Sequence, residues 1–234
     1  MSTLSEIVDS IQENLQDDAY TSEILVKRVN AALQSIAAGI AMPDGEVSPP
    51  LPDLYTYGTV NTSITLPYTS LPTDYQRSVS NVYDASTNKI LPPRGGDYYA
   101  FKRFLNQATK LDLSETGSIY LVCVKGSKVY YQGIPAVSTT IGLHYHRKPY
   151  VMSLDGDIPE GIPDHLQLDL LKHFVCMKIY GDIESGQYNK GIGANYHANQ
   201  FFNLMMNLVD FVGIDAGPLY YGEDSFEDRG QCDG

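Results

Sequence analysis

The hydrophobic pattern of this chain changes from a helical period to an alternating period and then back to a helical one. Apolar residues recur every three or four positions over residues 3–16 and 22–39, which predicts two amphipathic helices. The short joint between them, DDAYTS, predicts that these helices are antiparallel neighbours. Helical spacing returns over residues 163–182 and again from Phe201 to Val212. A chain with this order has to bury helical faces from both of its ends.

The predicted helices carry recognisable start and stop signals. Thr3 and Glu6 have the spacing of a capping box, and Gly39 is a typical C-terminal stop. Pro163 suits the first position of a helix, where its missing N–H would be unpaired in any case. Apolar residues surround the helix at 163–182 on almost every side, which predicts that this helix is buried.

The middle of the chain favours β-structure. Four prolines within residues 43–52 indicate an extended linker. Residues 59–66 alternate and predict a half-buried strand, with Val60, Thr62, Ile64 and Leu66 on one face. A further strand is expected within LPTDYQRSVSNVYD, and residues 97–109 predict a short helix that Asp97 caps. Three more strands are predicted in SIYLVCV, KVYYQG and TIGLHYHR, with a two-residue hairpin turn at Gly126-Ser127.

This order predicts an α+β fold in which a helical bundle, made from both chain ends, carries an inserted antiparallel β subdomain and an extended C-terminal tail. Four segments follow from the pattern. They are the N-terminal bundle helices at 1–40, the β-rich insertion at 41–150, the C-terminal bundle helices at 151–212 and an acidic tail at 213–234.

Composition limits the classes of function. The formal net charge of −12 argues against a surface that grips nucleic acid through its phosphates. Three widely spaced cysteines without a CxxC pattern indicate neither a disulfide framework nor a zinc finger. No apolar run is long enough to span a membrane, and no signal peptide is expected. The 18 tyrosines suggest extensive contact surfaces, although tyrosine-rich strands alone would also explain them.

Two histidines raise the question of a metal site. His144 and His146 stand two apart on a predicted strand, so their side chains share one face. Zinc needs three or four ligands, and the remaining candidates, His165, His173, His197 and the cysteines, stand at no recognised spacing. His165 and His173 are two helical turns apart, too far to share one ion. We therefore predict no metal site, and interpret the pair as polar residues on a solvent face or at a subunit contact.

An acidic loop raises the question of an enzyme. Asp155, Asp157 and Glu160 could in principle form a calcium loop or the acid and base of a glycosidase. The proline after Ile158 spoils a calcium loop, and the sequence does not show that the carboxylates converge on a cleft. The segment PRGGD lacks the Lys-Ser/Thr of a phosphate loop, and no GxSxG elbow is present. We predict no catalytic residues and no cofactor.

The opening segment IVDSIQENLQDDAYTSEILVKRVNAALQSIA resembles the two first helices of tailed-phage head-to-tail connector (adaptor) proteins, with Asn30 before small residues. LPTDYQRSVSNVYD is similar to the family's step into a strand. The likeness is strongest from the strand pair IYLVCVKGSKVYYQG through Tyr145, Lys148 and Pro149 to IPDHLQLDLLKHFV. It covers most of residues 4–212.

The resemblance implies a structural virion protein rather than an enzyme. It implies a homo-oligomeric ring of twelve copies that docks under the portal protein in the neck between head and tail, after assembly in the host cytoplasm. The ring would extend the DNA channel, letting double-stranded DNA pass without specific binding, and would offer a platform for a tail or nozzle protein. The resemblance implies no membrane partner.

The acidic tail is the predicted portal anchor, because in the resembling proteins the C-terminal segment often reaches into the portal. It combines acids with large apolar side chains that are costly to expose, namely Leu219, Tyr220, Tyr221 and Phe226. Two other classes of function stay open at this point. One is an enzyme that cleaves cell-wall glycans through the acidic loop, and the other is a binding module that uses the tyrosine-rich β insertion.

Overall fold

The computed structural model describes residues 1–15, 17, 19–87, 89–91, 116–119, 121–184 and 191–212. Within these residues the chain forms four α-helices and seven strands. The helices are α1 (Leu4–Leu15), α2 (Ser22–Ala38), α3 (Asp164–Glu184) and α4 (Ile192–Val212). The fold class predicted from the sequence, α+β, is therefore confirmed, and the helices at both ends of the pattern lie where the periodicity placed them.

The start predicted for α1 and the end predicted for α2 are both confirmed. The Thr3 hydroxyl accepts a bond from the Glu6 N–H at 3.3 Å, while the Glu6 carboxylate accepts one from the Thr3 N–H at 2.9 Å. These reciprocal bonds are the capping box. Gly39 ends α2 with a φ of 101°, a backbone conformation that side chains with a Cβ rarely adopt.

Helix α3 is the centre of the bundle. It packs against each of α1, α2 and α4, so helices separated by more than a hundred residues in sequence share one core. Leu170, Leu171 and Ile179 are fully buried, and the Phe174 ring meets the Phe201 ring of α4 at 5.0 Å. The prediction that the all-round apolar helix is buried among the others is confirmed.

The strands form two antiparallel sheets. In chain order the strands are β1 (Tyr55–Asn61), β2 (Tyr68–Ser70), β3 (Tyr75–Asp84), β4 (Lys89–Leu91), β5 (Leu121–Lys125), β6 (Lys128–Gln132) and β7 (Thr140–Arg147). One sheet has the order β1-β7-β3-β4 and the other β2-β6-β5. A 3₁₀ turn at Pro52–Leu54 leads into β1. The predicted tight turn is confirmed, because Lys125 pairs with Lys128 across Gly126 and Ser127.

The two sheets share a second core that is separate from the core of the bundle. Residues from both sheets contribute to it, including Val82, Val122, Val129, Tyr131 and Leu143. The described residues therefore form one helical core and one β core, joined by the linker before β1 and by the connection from β7 to α3.

The strand predicted over residues 59–66 is only partly correct. Strand β1 starts earlier, at Tyr55, and ends at Asn61. Beyond that point the Ser63 hydroxyl accepts hydrogen bonds from the N–H groups of Thr65 and Leu66, at 3.1 and 3.0 Å. These local bonds turn the chain away from the sheet ladder. Ile64 and Leu66, expected on the buried face, are therefore 55% and 45% exposed.

Some predictions fall on parts of the chain outside the described residues. The helix expected at 97–109, the PRGGD segment and the tail at 213–234 all lie there. Among the helices that are described, none is both long enough and apolar enough to cross a membrane.

Candidate interaction surfaces

The connection from β7 to α3, residues 148–163, is here called the exit loop. Its backbone carbonyls accept hydrogen bonds from the N-terminus of α1, because the first N–H groups of a helix lack partners within the helix. The carbonyl oxygen of Asp157 accepts a hydrogen bond from the Leu4 N–H at 2.8 Å, and that of Asp155 accepts one from the Ser5 N–H at 3.1 Å. The exit loop and the first helix therefore hold each other in place.

A side-chain amide fixes the exit loop to α2. The Asn30 amide nitrogen donates to the carbonyl of Met152 at 2.9 Å, and its carbonyl oxygen accepts from the Met152 N–H at 2.8 Å. Asn30 thus pairs with a buried residue as a neighbouring strand would, satisfying both backbone groups. This contact gives a physical role to the asparagine that the sequence singled out.

One carboxylate of the acidic loop braces the loop itself. The Asp157 carboxylate accepts hydrogen bonds from the N–H groups of Leu154 and Ser153, at 2.8 and 2.6 Å. These two bonds favour the ionised form and lower the pKa of Asp157 below its usual value. The carboxylate is therefore a turn brace.

Another carboxylate ties the loop to the end of β7. Glu160 makes a bidentate ion pair with Arg147, with one N···O distance of 2.9 Å, and also accepts a bond from the Tyr150 N–H at 3.2 Å. The ion pair raises the pKa of Arg147. The Arg147 guanidinium also lies over the Tyr150 ring, 4.3 Å from its centroid.

The braced loop presents apolar side chains to solvent. Tyr150, Val151 and Leu154 are 73%, 65% and 69% exposed. Clustered exposed apolar groups mark contact sites more often than scattered ones do. Because the backbone beneath them is already fixed, a partner that covers them would lose little conformational entropy on binding. The exit loop is the strongest candidate contact surface in the described part of the chain.

The HxH pair lies on the outer face of the larger sheet, among tyrosine rings. The His144 ring is 5.6 Å from Tyr55, 5.2 Å from Tyr57 and 5.5 Å from Tyr83, and Tyr55 also lies 5.1 Å from His146. Among the described residues, no three His, Cys, Asp or Glu side chains are placed to hold a metal ion. The pair belongs to an aromatic surface that includes the exposed Tyr55 and Tyr57.

A second pair of histidines meets inside the bundle. The Nδ1 atoms of His173 on α3 and His197 on α4 are 2.8 Å apart. His197 is only 5% exposed, and the Tyr180 ring stacks on it at 5.3 Å. Burial, together with the charge of Lys172, lowers the pKa of both rings, that of His173 to about 4.

The end of α4 lies beside the linker that leads into β1. Val212, the last described residue, lines a small apolar groove with Ile36, Pro49 and Leu51. The tail residues proposed as the anchor, Leu219, Tyr220, Tyr221 and Phe226, lie beyond it and outside the described residues. Helix α4 therefore ends beside the linker that leads into the β subdomain.

Comparison with family models identifies the family to which this chain belongs. A family model described as SU10 adaptor protein matches residues 2–218. The chain belongs to this adaptor family. Its resemblance to phage head-to-tail adaptor proteins is thereby confirmed. No curated protein matches the sequence significantly.

The adaptor's structure brings together residues that sequence reasoning left apart. His197 stands one helical turn before Phe201, so extending the apolar stripe of α4 backwards would have placed it at the α3 contact. Tyr55 and Tyr57 precede the predicted strand and gave no separate signal. The pairing of Asn30 with Met152 joins residues 122 apart, and no local pattern encodes it.

Proposed function

We propose that this adaptor forms a ring of twelve copies beneath the portal of the virus head. The ring would extend the DNA channel and provide the attachment platform for a tail or nozzle protein, in the neck of the virion. The family match over residues 2–218 is the observation that carries this proposal. Assembly in the host cytoplasm is part of the same proposal.

The exit loop supports the formation of an oligomer. A closed ring needs two different surfaces on each copy, because each subunit contacts one neighbour on either side. Tyr150, Val151 and Leu154 provide one rigid apolar surface. The exposed side of α4, with Tyr196, Met206 and Phe211, provides another. We propose that these two surfaces take part in contacts between subunits or with the neighbouring rings.

The C-terminal tail is the proposed portal anchor. Residues 213–234 follow Val212, which lines the apolar groove, and a fully extended segment of this length would span about 70 Å. Leu219, Tyr220, Tyr221 and Phe226 would fill grooves between portal subunits, and the surrounding acids would keep the free tail in solution.

The channel role agrees with the charge of the chain. A net charge of −12 per copy would keep phosphates from sticking to a ring of these subunits, so double-stranded DNA would pass without specific binding. We also propose the functional division made from the sequence, with the bundle at 1–40 and 151–212, the insertion at 41–150 and the tail at 213–234. The separate β core supports an inserted subdomain, and Leu51 and Leu54 of the linker before β1 pack into the bundle core.

A pull-down on purified portal rings tests the anchor. We expect the full chain to bind and a chain truncated after Val212 to remain folded but to lose binding. A double variant, Tyr220→Ala/Tyr221→Ala, should weaken binding, whereas Asp233→Asn in the same tail should not. Binding of the truncated chain with unchanged affinity would place the anchor on the bundle. Native mass spectrometry of the complex would count the copies, and any number other than twelve would contradict the proposed ring.

The aromatic surface supports a second candidate, a binding module for carbohydrate or protein. Exposed tyrosines such as Tyr55 and Tyr57 combine a flat apolar ring with a polar tip, as contact surfaces often require. Glycan-array binding that Tyr57→Ala abolishes would favour this candidate. Unchanged portal binding in the same variant would separate it from the adaptor role.

A further inference from the structure

The contact between His173 and His197 imposes a condition on their protons. At 2.8 Å, the two Nδ1 atoms are at hydrogen-bond distance. One Nδ1 must carry hydrogen and donate, while the other must be bare and accept. At least one ring is therefore neutral as long as the contact exists. A single imidazolium can still donate to a neutral partner, so the first proton leaves the contact intact.

A second proton has a different effect. With both rings charged, two N–H groups would point at each other and two positive charges would face across the α3–α4 contact. His197 is buried, so water can do little to screen this repulsion. The two protons belong to the pair as a whole, since each ring changes the affinity of the other.

Most of the groups around the two histidines disfavour a charged imidazole ring. Burial and the nearby Lys172 disfavour an imidazolium at both positions, while Asp169, which pairs with Lys172 at 2.5 Å, partly offsets this for His173. The stacked Tyr180 ring would favour a cation through its π face. Four other groups lie around the cluster. Together with burial, Cys176 and Glu184 raise the pKa of Tyr180, and the Tyr180 hydroxyl donates a hydrogen bond to the Asn14 carbonyl of α1. The Tyr196 ring makes T-shaped contacts with both histidines.

We propose that His173 and His197 form a proton-sensitive clamp that holds the N-terminal half of α4 on α3. The clamp is closed while the pair shares its protons across the Nδ1 contact, and it opens when both rings are charged. The C-terminal half of α4 has a separate anchor in Phe201, Met205 and Leu208, which are buried in the bundle core. Acid therefore loosens one half of the helix and leaves the other half packed.

The direction of the pH effect follows from the lowered pKa values. In the unfolded or opened state the histidines have ordinary pKa values of about 6.5, and in the closed state their pKa values are lower, that of His173 about 4. The open state therefore binds more protons between these limits. The clamp is at full strength above about pH 6.5 and weakens progressively as the pH falls towards about 4.

Hydrogen exchange on the full chain tests the clamp. The measured quantity is the protection of amides in 195–200 relative to those in 202–212, corrected for intrinsic exchange at each pH. The amides of Gly193 and Ala194 are left out because they donate to the Glu184 carboxylate. Between about pH 7.5 and about pH 4 we expect this ratio to fall by at least about tenfold in the natural chain, the change that one unit of pKa difference produces. The internal reference removes effects that act on the whole protein.

A double variant, His173→Gln/His197→Gln, removes the titration and leaves side chains that can still donate and accept. We expect its protection ratio to be nearly independent of pH. The matched control is His165→Gln, an exposed histidine on the same helix, which should behave as the natural chain does. An equal fall of the ratio in the double variant would overturn the proposal.

A second measurement needs no variant, in case the double substitution prevents folding. Nitrogen NMR of the imidazole rings in the full chain should show one protonated and one bare Nδ1 for the His173–His197 pair at neutral pH. The pair should take up protons only below the ordinary histidine range. Titration of both rings of the pair at about pH 6.5, the ordinary histidine value, would overturn the clamp.

Discussion

The helical bundle and the β subdomain both use buried polar side chains to hold the backbone, but the residue types differ. In the bundle, the buried Gln167 of α3 accepts a hydrogen bond from the Ser2 N–H and donates one to the Ile162 carbonyl, which ties the first residues of the chain and the exit loop to α3. In the β subdomain, a tyrosine hydroxyl holds the backbone instead. Tyr131 is fully buried, yet its hydroxyl reaches the backbone of Ser63 and Leu66. Tyrosine enrichment thus serves the interior as well as contact surfaces.

Breaking the hydrophobic packing of the bundle should have the largest effect. Leu33 and Phe174 lie in its core, and we expect Leu33→Ala or Phe174→Ala to lower the free energy of unfolding by about 2–5 kcal/mol. Denaturant titration measures the loss. Ile64→Ala, at an exposed position of the β subdomain, is the control and should change stability by less than about 0.5 kcal/mol. An equally small change at both core positions would mean that the bundle core is wrongly assigned.

Removing a polar tie of the bundle should have a smaller effect. Asn30→Ala leaves the N–H and carbonyl of the buried Met152 without their partner, which should cost about 1–3 kcal/mol. Thermal unfolding measures the loss, and Asn14→Ala on the exposed side of α1 is the control. If the two variants had equal stability, the Asn30 contact would not hold the exit loop.

The matching test in the β subdomain removes one hydroxyl. Tyr131→Phe keeps the buried ring but leaves the Ser63 N–H and the Leu66 carbonyl short of a partner, and we expect a loss of about 1–2 kcal/mol. Tyr57→Phe, on the exposed face of the sheet, should be close to neutral. A neutral Tyr131→Phe would show that water replaces the hydroxyl without cost.

The smallest effect is expected at the ion pair between the two regions. Glu160→Gln weakens a partly exposed pair with Arg147, so the loss should be about 1 kcal/mol or less at low salt and smaller at high salt. Asp53→Asn, an exposed carboxylate near β1, is the control. A loss that does not change with salt would indicate that hydrogen-bond geometry, and not charge, is what the loop needs.

Local patterns were enough to predict the elements whose signals are local. The capping box at Thr3 and Glu6, the stop at Gly39 and the turn at Gly126 each depend on neighbouring residues, and each is present. Strand β1 was misplaced because the period of two continues past Asn61, while the Ser63 hydroxyl competes with the sheet for backbone N–H groups. Hydrophobic alternation does not register that competition.

The candidate surfaces were less predictable. Sequence patterns offered no reason to expect catalytic roles for Asp157 and Glu160, but a pattern cannot show that their oxygens already bind Leu154 and Arg147. The meeting of His173 with His197 depends on the register between two helices. That register is set by packing across the whole bundle, so it becomes visible only in three dimensions.

The hydrogen bonds from the Leu4 and Ser5 N–H groups to the exit loop have a consequence for synthesis. A ribosome adding roughly 5–20 residues per second needs about 8–30 s to make the approximately 150 residues between the two ends of this contact. During that interval the first helix has α2 beside it but lacks the carbonyls that complete its N-terminus and lacks α3, which covers the rest of its apolar face. A nascent chain stalled before residue 155 should therefore hold an unfinished α1 that chaperones can bind, and release from them should begin only once α3 has left the exit tunnel.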